Sequence, residues 1–470
     1  MSKIIKYITP LFLIVLFLFL RFYNLNSSFF FFNDLGRDML VLNEWQQSGK
    51  PPLLGPQTSA LPVNQSAFYF YLLYPGYLIS QGHPFSSLYT LALFYIAIFI
   101  LGIYLLRKNK TLLPLALISF FLIAIHPQYI IQSTKFVWNP SFVTPFIIIS
   151  LISFYYLQTK YSLKHLIIFS LSLATAISFS YSITPLLIAY FLYWLIFSRK
   201  KIFYYISSFL SSLFIINLPT IFFELRHHFL LTTSLFTKNA PTQSGLDFSS
   251  KILNLSFHLF STNIYILDQI LFFLSLILCF FLTIKNRHHP KNLQFISTFL
   301  YLSLVLITLI IPVNVQAHYI FAFSSLIFVI IATLTSRLRF ILILFFTVIY
   351  LQPSRLDKYF TPASRTLSQM EKCFTDFCHD FTEPTFVSVQ SSFHPFHNGP
   401  EHRYLLKRNG CQIKNIETEN GQAKYMSVIL DNGNFDSKTN YYELELFGKY
   451  KEIKTYDCQP NFKIKVLLHL

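Results

Sequence analysis

The chain has 470 residues, of which 53% are hydrophobic and 12% are charged, and its mean hydropathy is +0.49. This is more apolar surface than a soluble core hides, so the composition excludes a soluble globular protein and indicates a polytopic membrane protein. The net charge of +17 does not indicate nucleic-acid binding, because the lysines and arginines lie in small groups between apolar runs instead of clustering on one solvated face.

Eleven apolar runs follow one another along the chain, each close to the ~20 residues that cross a bilayer as a helix. The first run has no small-residue cleavage site and is therefore predicted to be a retained anchor. We predict an all-α membrane domain with about eleven transmembrane helices, at residues 8–24, 86–106, 111–128, 140–158, 163–179, 182–198, 202–223, 264–284, 293–312, 318–336 and 338–353.

The loops between these runs differ in their content of basic residues. The N-terminal segment and the loops on the same side of the membrane hold fifteen lysines and arginines in total. The loops of the other side hold six up to residue 352, namely Arg37, Lys50, Lys135, Arg226, Lys238 and Lys251. The positive-inside rule therefore predicts a multi-pass protein of the plasma (inner) membrane with a cytoplasmic N-terminus, and an odd number of spans places the C-terminus outside.

The composition changes after residue 353 to a polar sequence with 15 lysines and arginines and 14 acidic residues. We therefore predict a transmembrane domain over residues 1–353, with a first external loop at 25–85, and a small extracytoplasmic α/β domain over 354–470. Alternation predicts strands in PTFVSVQ, AKYMSVIL, YYELELF and FKIKVLLHL, and the spacing of PEHRYLLKRNG predicts a helix that stops at glycine.

Four of the five cysteines lie in this second domain, at Cys373, Cys378, Cys411 and Cys458. An even number in an oxidising compartment permits disulfides in any of three pairings, and free buried thiols are the alternative. The chain has no Cys-x-x-Cys motif, so zinc is not indicated.

Acidic residues are scarce in the predicted transmembrane domain, which holds six of the chain's 20: Asp34, Asp38, Glu44, Glu224, Asp247 and Asp268. All six lie on the predicted external side, although the cytoplasmic loops are so short that they offer few other positions. Acid–base chemistry is therefore expected outside. A transporter instead places ionisable groups near the bilayer midplane.

Glycosyl transfer from a phosphate-activated sugar needs a base that takes the proton of the attacking hydroxyl, and cations that neutralise the departing phosphate. Asp34 and Asp38, one helical turn apart, are the candidates for the acid–base role. For Asp34 the alternative is a helix N-cap with Arg37 and Asp38 as first-turn neighbours.

Three external cations lie beside aromatic residues and are candidates for binding a lipid phosphate: Arg226, Lys135 and Arg37. Lys135 alternatively snorkels at the interface. The candidates for substrate binding are Tyr69, Tyr71, Trp138, Asn139, Glu224 and His227. For the tyrosines and the tryptophan the alternative is a membrane-interface anchor, and Glu224, Arg226 and His227 alternatively form a structural cluster.

Four stretches occur in matching loops: D-x-G-R-D after the first span, LLGPQTSALPVNQSAFYFYLLYPGYLI in the first external loop, KFVWNPSFVTPF before the fourth span and FELRHHF after the seventh. Together they resemble the membrane glycosyltransferases of the C superfamily (GT-C), in the bacterial branch of family 39 related to protein O-mannosyltransferases and the aminoarabinose transferase of lipid A. The resemblance covers roughly residues 1 to 350.

The resemblance implies a polyprenyl-phosphate-linked sugar donor and a catalytic acid in the first external loop. Asp34 matches the first acid of the family's Asp-Glu pair, the general base. Leu35 stands where the second acid is expected, and Asp38 is the candidate to replace it. No metal ligands are assigned, since a lone carboxylate binds a divalent ion poorly, and no cofactor is predicted.

The sequence contains no P-loop, dinucleotide fingerprint or nucleophile elbow, which favours a lipid-linked donor. We therefore predict an inverting glycosyltransferase that moves a sugar from a polyprenyl-phosphate donor to a hydroxyl of a glycan, lipid or protein acceptor at the outer face. The first alternative is a lipid-linked oligosaccharide flippase. The second is a scaffold whose membrane part only anchors the C-terminal domain.

Overall fold

The computed structural model describes residues 3–58, 63–107, 109, 112–237, 247–311, 315–392, 398–419, 421–433, 435, 442–459 and 461–470. The chain forms two compact units. The first unit comprises Met1–Tyr23, Pro51–Gly76 and Ser87–Phe360, and the second comprises Asn24–Lys50, Tyr77–Ser86 and Thr361–Leu470. The division at residue 360 lies near the predicted domain boundary, but the second unit also takes two segments of the predicted first external loop.

The first unit is almost entirely helical. A short antiparallel pair of strands, Leu54–Gln57 and Asn64–Ser66, accompanies the helices. The α-helices are Lys3–Phe22, Phe68–Ile79 (which runs on into the second unit), Ser86–Leu106, Leu112–Ile125, Pro127–Thr134, Val143–Thr159, Leu163–Phe179, Thr184–Phe197, Ile202–Ile216, Leu218–Arg226, Leu230–Thr237, Phe248–Phe260, Tyr265–Lys285, Leu293–Ile310, Ile320–Thr333, Ser336–Tyr350 and Pro353–Phe360.

The length and composition of the helices do not confirm the eleven predicted membrane spans. Within the described residues, four helices are long and apolar enough to cross a bilayer, and up to seven spans result if each of three bent helix pairs counts as one. The helices over 8–22, 163–179 and 317–333 are apolar but shorter. The predicted runs do contain helices, but the count of eleven is not confirmed.

Local sequence explains one of the bends. The helices Leu112–Ile125 and Pro127–Thr134 meet at 65°. Pro127 has no amide hydrogen to continue the first helix, and it suits the first turn of the second. The His126 side chain caps that second helix by accepting a hydrogen bond from Gln128 N. The helix in the predicted span 111–128 therefore ends at Ile125, and Pro127 begins a second helix that continues beyond the predicted span.

The second unit is built on a four-stranded sheet. Its strands are Thr385–Ser391, Tyr425–Asp431, Phe462–His469 and Tyr450–Gln459, in that spatial order. The first two are parallel and the other neighbours are antiparallel. The helices of this unit are Leu25–Ser28, Asn33–Ser48, Leu367–Asp380, Pro400–Arg408 and Tyr442–Phe447.

Three of the four predicted strands are present, and the helix predicted in PEHRYLLKRNG is confirmed as Pro400–Arg408, with Gly410 in the left-handed region after it. The strand predicted in YYELELF is wrong, because Tyr442–Phe447 is a helix. Leu444 and Phe447 lie one turn apart and both pack into the core of this unit with Phe386. The alternation of glutamate and leucine therefore concealed a helical spacing.

Two disulfides connect the four cysteines of this unit. Cys373 pairs with Cys458, and Cys378 pairs with Cys411. The first joins the helix Leu367–Asp380 to the edge strand Tyr450–Gln459. Of the three pairings that the sequence left open, the structure has this one, and the free-thiol alternative is wrong.

Candidate active site

The residues of the D-x-G-R-D motif lie in the first half of the helix Asn33–Ser48, which we call the Asp34 helix. Its N-cap position is Phe32, which makes no side-chain capping bond, so Asp34 is not the N-cap that one interpretation of the sequence predicted. Asp34 instead lies in the first turn, where the helix dipole favours a negative charge.

Asp34, Arg37 and Asp38 form a cluster that we call the motif triad. Arg37 Nη1 donates to Asp34 Oδ1 at 2.8 Å, and Arg37 Nη2 donates to Asp38 Oδ1 at 2.7 Å. The Asp38 side chain is fully buried, whereas that of Asp34 is 37% exposed. Asp34 is therefore the carboxylate of this pair that a substrate can reach, and a fixed arginine orients one of its oxygens.

The glycine of the motif has a packing role. A Cβ on Gly36 would lie 2.2 Å from both the Cα and the backbone nitrogen of Glu401. The Asp34 helix therefore packs directly against the backbone of the helix Pro400–Arg408, which we call the Glu401 helix, and only glycine permits this approach. The C-terminal part of the chain thus supports the segment that carries Asp34.

A second charged cluster lies inside the same unit and comprises Arg365, Glu401, His402 and Asp431, which we call the buried tetrad. Arg365 Nη1 lies 2.7 Å from Asp431 Oδ2, and His402 Nε2 lies 3.3 Å from the same oxygen. On the other side of the ring, His402 Nδ1 lies 3.4 Å from Glu401 Oε1. All four side chains are buried.

The tetrad is electrically neutral only when His402 is protonated. Burial lowers the pKa of the His402 imidazole, but the adjacent Glu401 and Asp431 carboxylates outweigh burial and raise this pKa above its ordinary value. Burial lowers the pKa of the Arg365 guanidinium, and the same two acids oppose that shift. Arg365 Nη1 also lies 2.8 Å from His402 Nε2 and can only donate, so the neutral imidazole accepts this hydrogen bond, and a proton gained at Nε2 would displace it.

Arg365 also holds the chain just before the Asp34 helix. Its Nη2 donates to the Phe31 carbonyl at 2.7 Å, and its guanidinium lies 4.9 Å from the centre of the Phe30 ring. Nearby, Ala363 N donates to the Ser27 carbonyl at 2.7 Å. Sequence reasoning missed the tetrad, because its members are spread over residues 365–431 and only the fold brings them together.

The predicted substrate-binding residues all belong to the first unit, and two of them meet on Phe179. The Tyr69 side chain is buried with its ring 5.9 Å from that of Phe142 and 6.0 Å from that of Phe179. Asn139 donates to the Phe179 carbonyl and to the Gln65 side chain. Both side chains are therefore part of the packing of this unit.

The other predicted aromatic residues also have contacts within the first unit. Tyr71 Oη donates to the Pro52 carbonyl at 2.8 Å. Trp138 Nε1 donates to Gln132 Oε1 at 3.2 Å, and its ring lies 5.0 Å from that of His318. The structure does not bring Tyr71 and Trp138 together.

Glu224 forms hydrogen bonds with the backbone of the segment that follows it. Its carboxylate accepts hydrogen bonds from Leu231 N and Thr232 N at 2.9 and 3.0 Å, which caps the following helix Leu230–Thr237. His227 stacks on Phe223 with 4.1 Å between the ring centres. Glu224 therefore ties two helices together, as the structural-cluster alternative expects of it.

The three cations predicted to bind phosphate differ in the hydrogen bonds and ion pairs that their side chains form. Arg37 is bound by two carboxylates of the motif triad. Lys135 Nζ donates to the Lys358 carbonyl at 3.2 Å. Arg226 is exposed and forms no ion pair or hydrogen bond through its side chain within the described part of the chain. Arg226 is thus the cation most available to a ligand.

Three buried charges of the first unit were not predicted as such. Arg21 donates to the carbonyls of Ile123 and Ala124 at 3.1 and 3.2 Å, and Lys251 donates to those of Leu309 and Ile311. Asp268 accepts from Thr262 N at 2.7 Å. Each of these charges thus has a fixed partner in the backbone.

A metal site is not apparent in the residues that the structure describes, where no three His, Cys, Asp or Glu side chains come together as ligands. In the motif triad the guanidinium of Arg37 forms ion pairs with both carboxylates. The positive charge of this site is supplied by the chain itself.

No protein-family model matches this sequence, and no curated protein matches it. Solved structures do. The crystal structure of ArnT from Cupriavidus metallidurans bound to undecaprenyl phosphate is similar over 100% of this chain and 99% of that chain, with a TM-score of 0.63 and 10% identity. The apo structure of the same protein is similar over 98% and 97%, with a TM-score of 0.59 and 10% identity.

The structure of the arabinofuranosyltransferase AftD from Mycobacteria aligns with all of this chain but with only 40% of its own, at 12% identity and a TM-score of 0.45. The fold that this chain shares with ArnT extends over its whole length, including the second unit. At 10% identity this similarity shows that the chain shares the fold of ArnT, as the predicted resemblance expects.

Proposed function

From this GT-C fold and the motif triad, we propose that the protein is an integral membrane glycosyltransferase. It transfers a sugar from a polyprenyl-phosphate-linked donor to a hydroxyl group at the extracytoplasmic face, with inversion at the anomeric carbon. The observation that carries the proposal is the geometry of Asp34. The ligand in the ArnT structure, undecaprenyl phosphate, motivates the class of donor.

Asp34 has the properties of a positioned general base. Arg37 holds its Oδ1, while Oδ2 makes no hydrogen bond with any described residue. The carboxylate is partly exposed, so an acceptor hydroxyl can approach Oδ2. In this mechanism Asp34 takes the hydroxyl proton as the oxygen attacks the anomeric carbon, and the bond to the phosphate breaks on the opposite face of the sugar.

Asp38 and Arg37 act as positioning residues in this proposal. The buried Asp38 carboxylate accepts hydrogen bonds from two nitrogens of Arg37, which fixes the guanidinium in one orientation. Arg37 in turn fixes Asp34. For the leaving phosphate we keep the prediction from the sequence, in which the positive charge of Arg226 or Lys135 stabilises the phosphate as it departs.

The two disulfides support an extracytoplasmic location for the second unit, since disulfides form and persist in oxidising compartments. This unit also contains Asp34, so the chemistry is assigned to the same side. The N-terminus is then cytoplasmic if the number of spans is odd, as the basic loops indicate.

The flippase alternative finds less support in the contacts of the first unit. A transport pathway needs charges that can meet a moving substrate, whereas Arg21, Lys251 and Asp268 are fixed by backbone groups. The alternative of a scaffold leaves the motif triad without a role.

The proposed base is tested by Asp34→Asn in the purified protein, with consumption of polyprenyl-phosphate sugars as the assay. We expect transfer to fall about 10²–10⁴-fold, because a nearly isosteric amide cannot accept the proton. Glu44→Gln is the matched control, since Glu44 is an exposed acid on the same helix. Binding of undecaprenyl phosphate, followed as a thermal shift, should persist in both variants.

Transfer at the wild-type rate in Asp34→Asn would overturn the assignment of the base. Loss of transfer in Glu44→Gln as well would show that the assay reports the charge of the helix and not the base.

The phosphate assignment is tested by Arg226→Ala and Arg226→Lys. A charge-assisted hydrogen bond contributes about 1.5–3 kcal/mol, so the alanine variant should lose roughly ten- to a hundredfold in kcat/KM. The lysine variant keeps the charge without the planar fork and should lose less. Arg337→Ala, an exposed cation predicted on the opposite side, is the control. Unchanged kinetics in Arg226→Ala would transfer the role to Lys135.

A further inference from the structure

The second unit contains an open pocket that the proposed chemistry does not use. Its cavity volume is about 130 Å³, which is smaller than the roughly 300–1,000 Å³ of sites for drug-sized molecules and limits the ligand to about one sugar ring. Its wall comes from the start of the helix Leu367–Asp380 and the two residues Ser364 and Arg365, from Asp431 and Asn432 at the end of the strand Tyr425–Asp431, and from Gln459, Asn461 and Phe462. Every residue of the wall belongs to residues 364–462.

The wall of the pocket is rich in side-chain amides. Gln369, Asn432, Gln459 and Asn461 line it. The amide of Gln369 accepts from Thr366 N, and that of Asn432 donates to Ser392. The amides of Gln459 and Asn461 make no hydrogen bond with the described residues. Each of these two amides therefore offers one acceptor and two donors to a ligand.

The wall also has an apolar part, which includes Met370 and Phe462, and both of these side chains are buried. A ligand that fits this wall has many hydroxyl groups together with a face of C–H groups. Amides suit hydroxyl groups, because a hydroxyl both donates and accepts and an amide supplies both partners.

Charge in the pocket does not favour an anion. Arg365 lines it, but its guanidinium is bound by Asp431 at 2.7 Å, and Asp431 lines the pocket as well. Both side chains are more than nine-tenths buried. The pocket therefore presents a compensated ion pair, in which the acid would repel a phosphate that approached the arginine.

We propose that this pocket binds a neutral saccharide, as a second sugar site that holds part of the acceptor glycan. That the bound saccharide is the acceptor rests on the proposed glycosyl transfer. That the pocket binds a saccharide does not depend on the proposed function. Arg365 connects this site to the Asp34 helix, since the same guanidinium contacts the pocket, Asp431 and the carbonyl of Phe31.

The experiment is saturation-transfer NMR on the full-length protein in nanodiscs, with neutral methyl hexopyranosides and methyl pentofuranosides as probes. The test variant is Gln459→Ala/Asn461→Ala, which leaves the ion pair of Arg365 and Asp431 in place. Gln412→Ala is the matched control, since Gln412 is an exposed amide of the same unit outside the pocket. Ser364→Phe, at the exposed rim, fills the pocket without removing an amide.

We expect at least one methyl glycoside to bind the wild-type protein and the Gln412→Ala variant, and to bind the double variant about tenfold more weakly or worse, since two hydrogen bonds are lost. Ser364→Phe should lose binding too. Equal binding of the glycoside by the double variant and the wild type would overturn the proposal. Binding of a short neutral peptide or of inorganic phosphate at this pocket, with no binding of a glycoside, would overturn it as well.

This result is separable from the proposed function. If Asp34→Asn retains transfer while the glycoside binds as expected, the proposed base fails and the pocket stands. If transfer depends on Asp34 but no glycoside binds at millimolar concentration, the pocket proposal alone is overturned.

Discussion

Two clusters of charged side chains lie in the second unit and differ in burial. In the motif triad an arginine joins two aspartates, one of them buried and the other more than one-third exposed. In the buried tetrad an arginine and a histidine meet two acids with almost no exposure. This difference in exposure distinguishes a cluster that can take part in a reaction from one that only stabilises the fold, because a substrate must reach a carboxylate to exchange a proton with it.

The two clusters are also connected. Gly36 of the Asp34 helix packs on the backbone of Glu401, and Arg365 of the tetrad donates to the Phe31 carbonyl two residues before that helix begins. The tetrad therefore serves as the support of the triad, and a change in one is expected to reach the other through packing.

The largest effect on stability is expected from the tetrad. Arg365→Met leaves the carboxylates of Asp431 and Glu401 buried with only His402 to balance them, which costs about 3–5 kcal/mol for a broken buried pair. Thermal unfolding and resistance of the second unit to protease measure this loss. Arg408→Met is the matched control, because the pair of Arg408 with Glu371 is partly exposed and contributes about 0–1 kcal/mol. Equal losses in both variants would erase the distinction between the two kinds of cluster.

A smaller effect is expected where the clusters touch. Gly36→Ala places a methyl group 2.2 Å from the backbone of Glu401, so the two helices must separate at a cost of about 1–3 kcal/mol. Gly102→Ala is the control, since a Cβ at this other helical glycine meets no atom within 4 Å. We expect lower thermal stability and slower transfer for Gly36→Ala only. Wild-type stability and transfer in Gly36→Ala would show that the triad does not depend on the Glu401 helix.

The smallest effect concerns pH. Burial and Arg365 lower the pKa of His402 in the folded protein, but Glu401 and Asp431 outweigh them and raise it above its ordinary value. A raised folded pKa contributes stability that is complete below the ordinary histidine value of about 6.5 and is lost as the pH rises through the folded value. The unfolding temperature should therefore fall from pH 6 to pH 8 more steeply in the wild type than in His402→Gln. His379→Gln, at an exposed histidine, should keep the wild-type slope. Identical slopes in the wild type and His402→Gln would show that the titration of His402 does not cause the pH dependence of the unfolding temperature.

Local sequence signals predicted much of the fold and part of the site. Apolar length predicted helices in the first unit, and the glycine after LLKRN marked the end of the Glu401 helix. The same signals failed at Tyr442–Phe447, where packing on Phe386 decided between helix and strand. The hydrophobic pattern of one short segment can fit both a helix and a strand. The packing of that segment against the rest of the fold then decides which of the two forms.

The composition and order of the residues by themselves determined that the chain is a membrane protein and that its acids are concentrated in a few places. They also determined that Asp34, Arg37 and Asp38 share one face of a helix. These properties depend only on composition and on neighbours within a few positions. Only the tertiary structure decided that Asp34 is partly exposed and Asp38 buried, that Gly36 meets Glu401, and which cysteines pair. Burial and the contacts of residues hundreds of positions apart depend on how distant segments pack, and no local pattern carries that information.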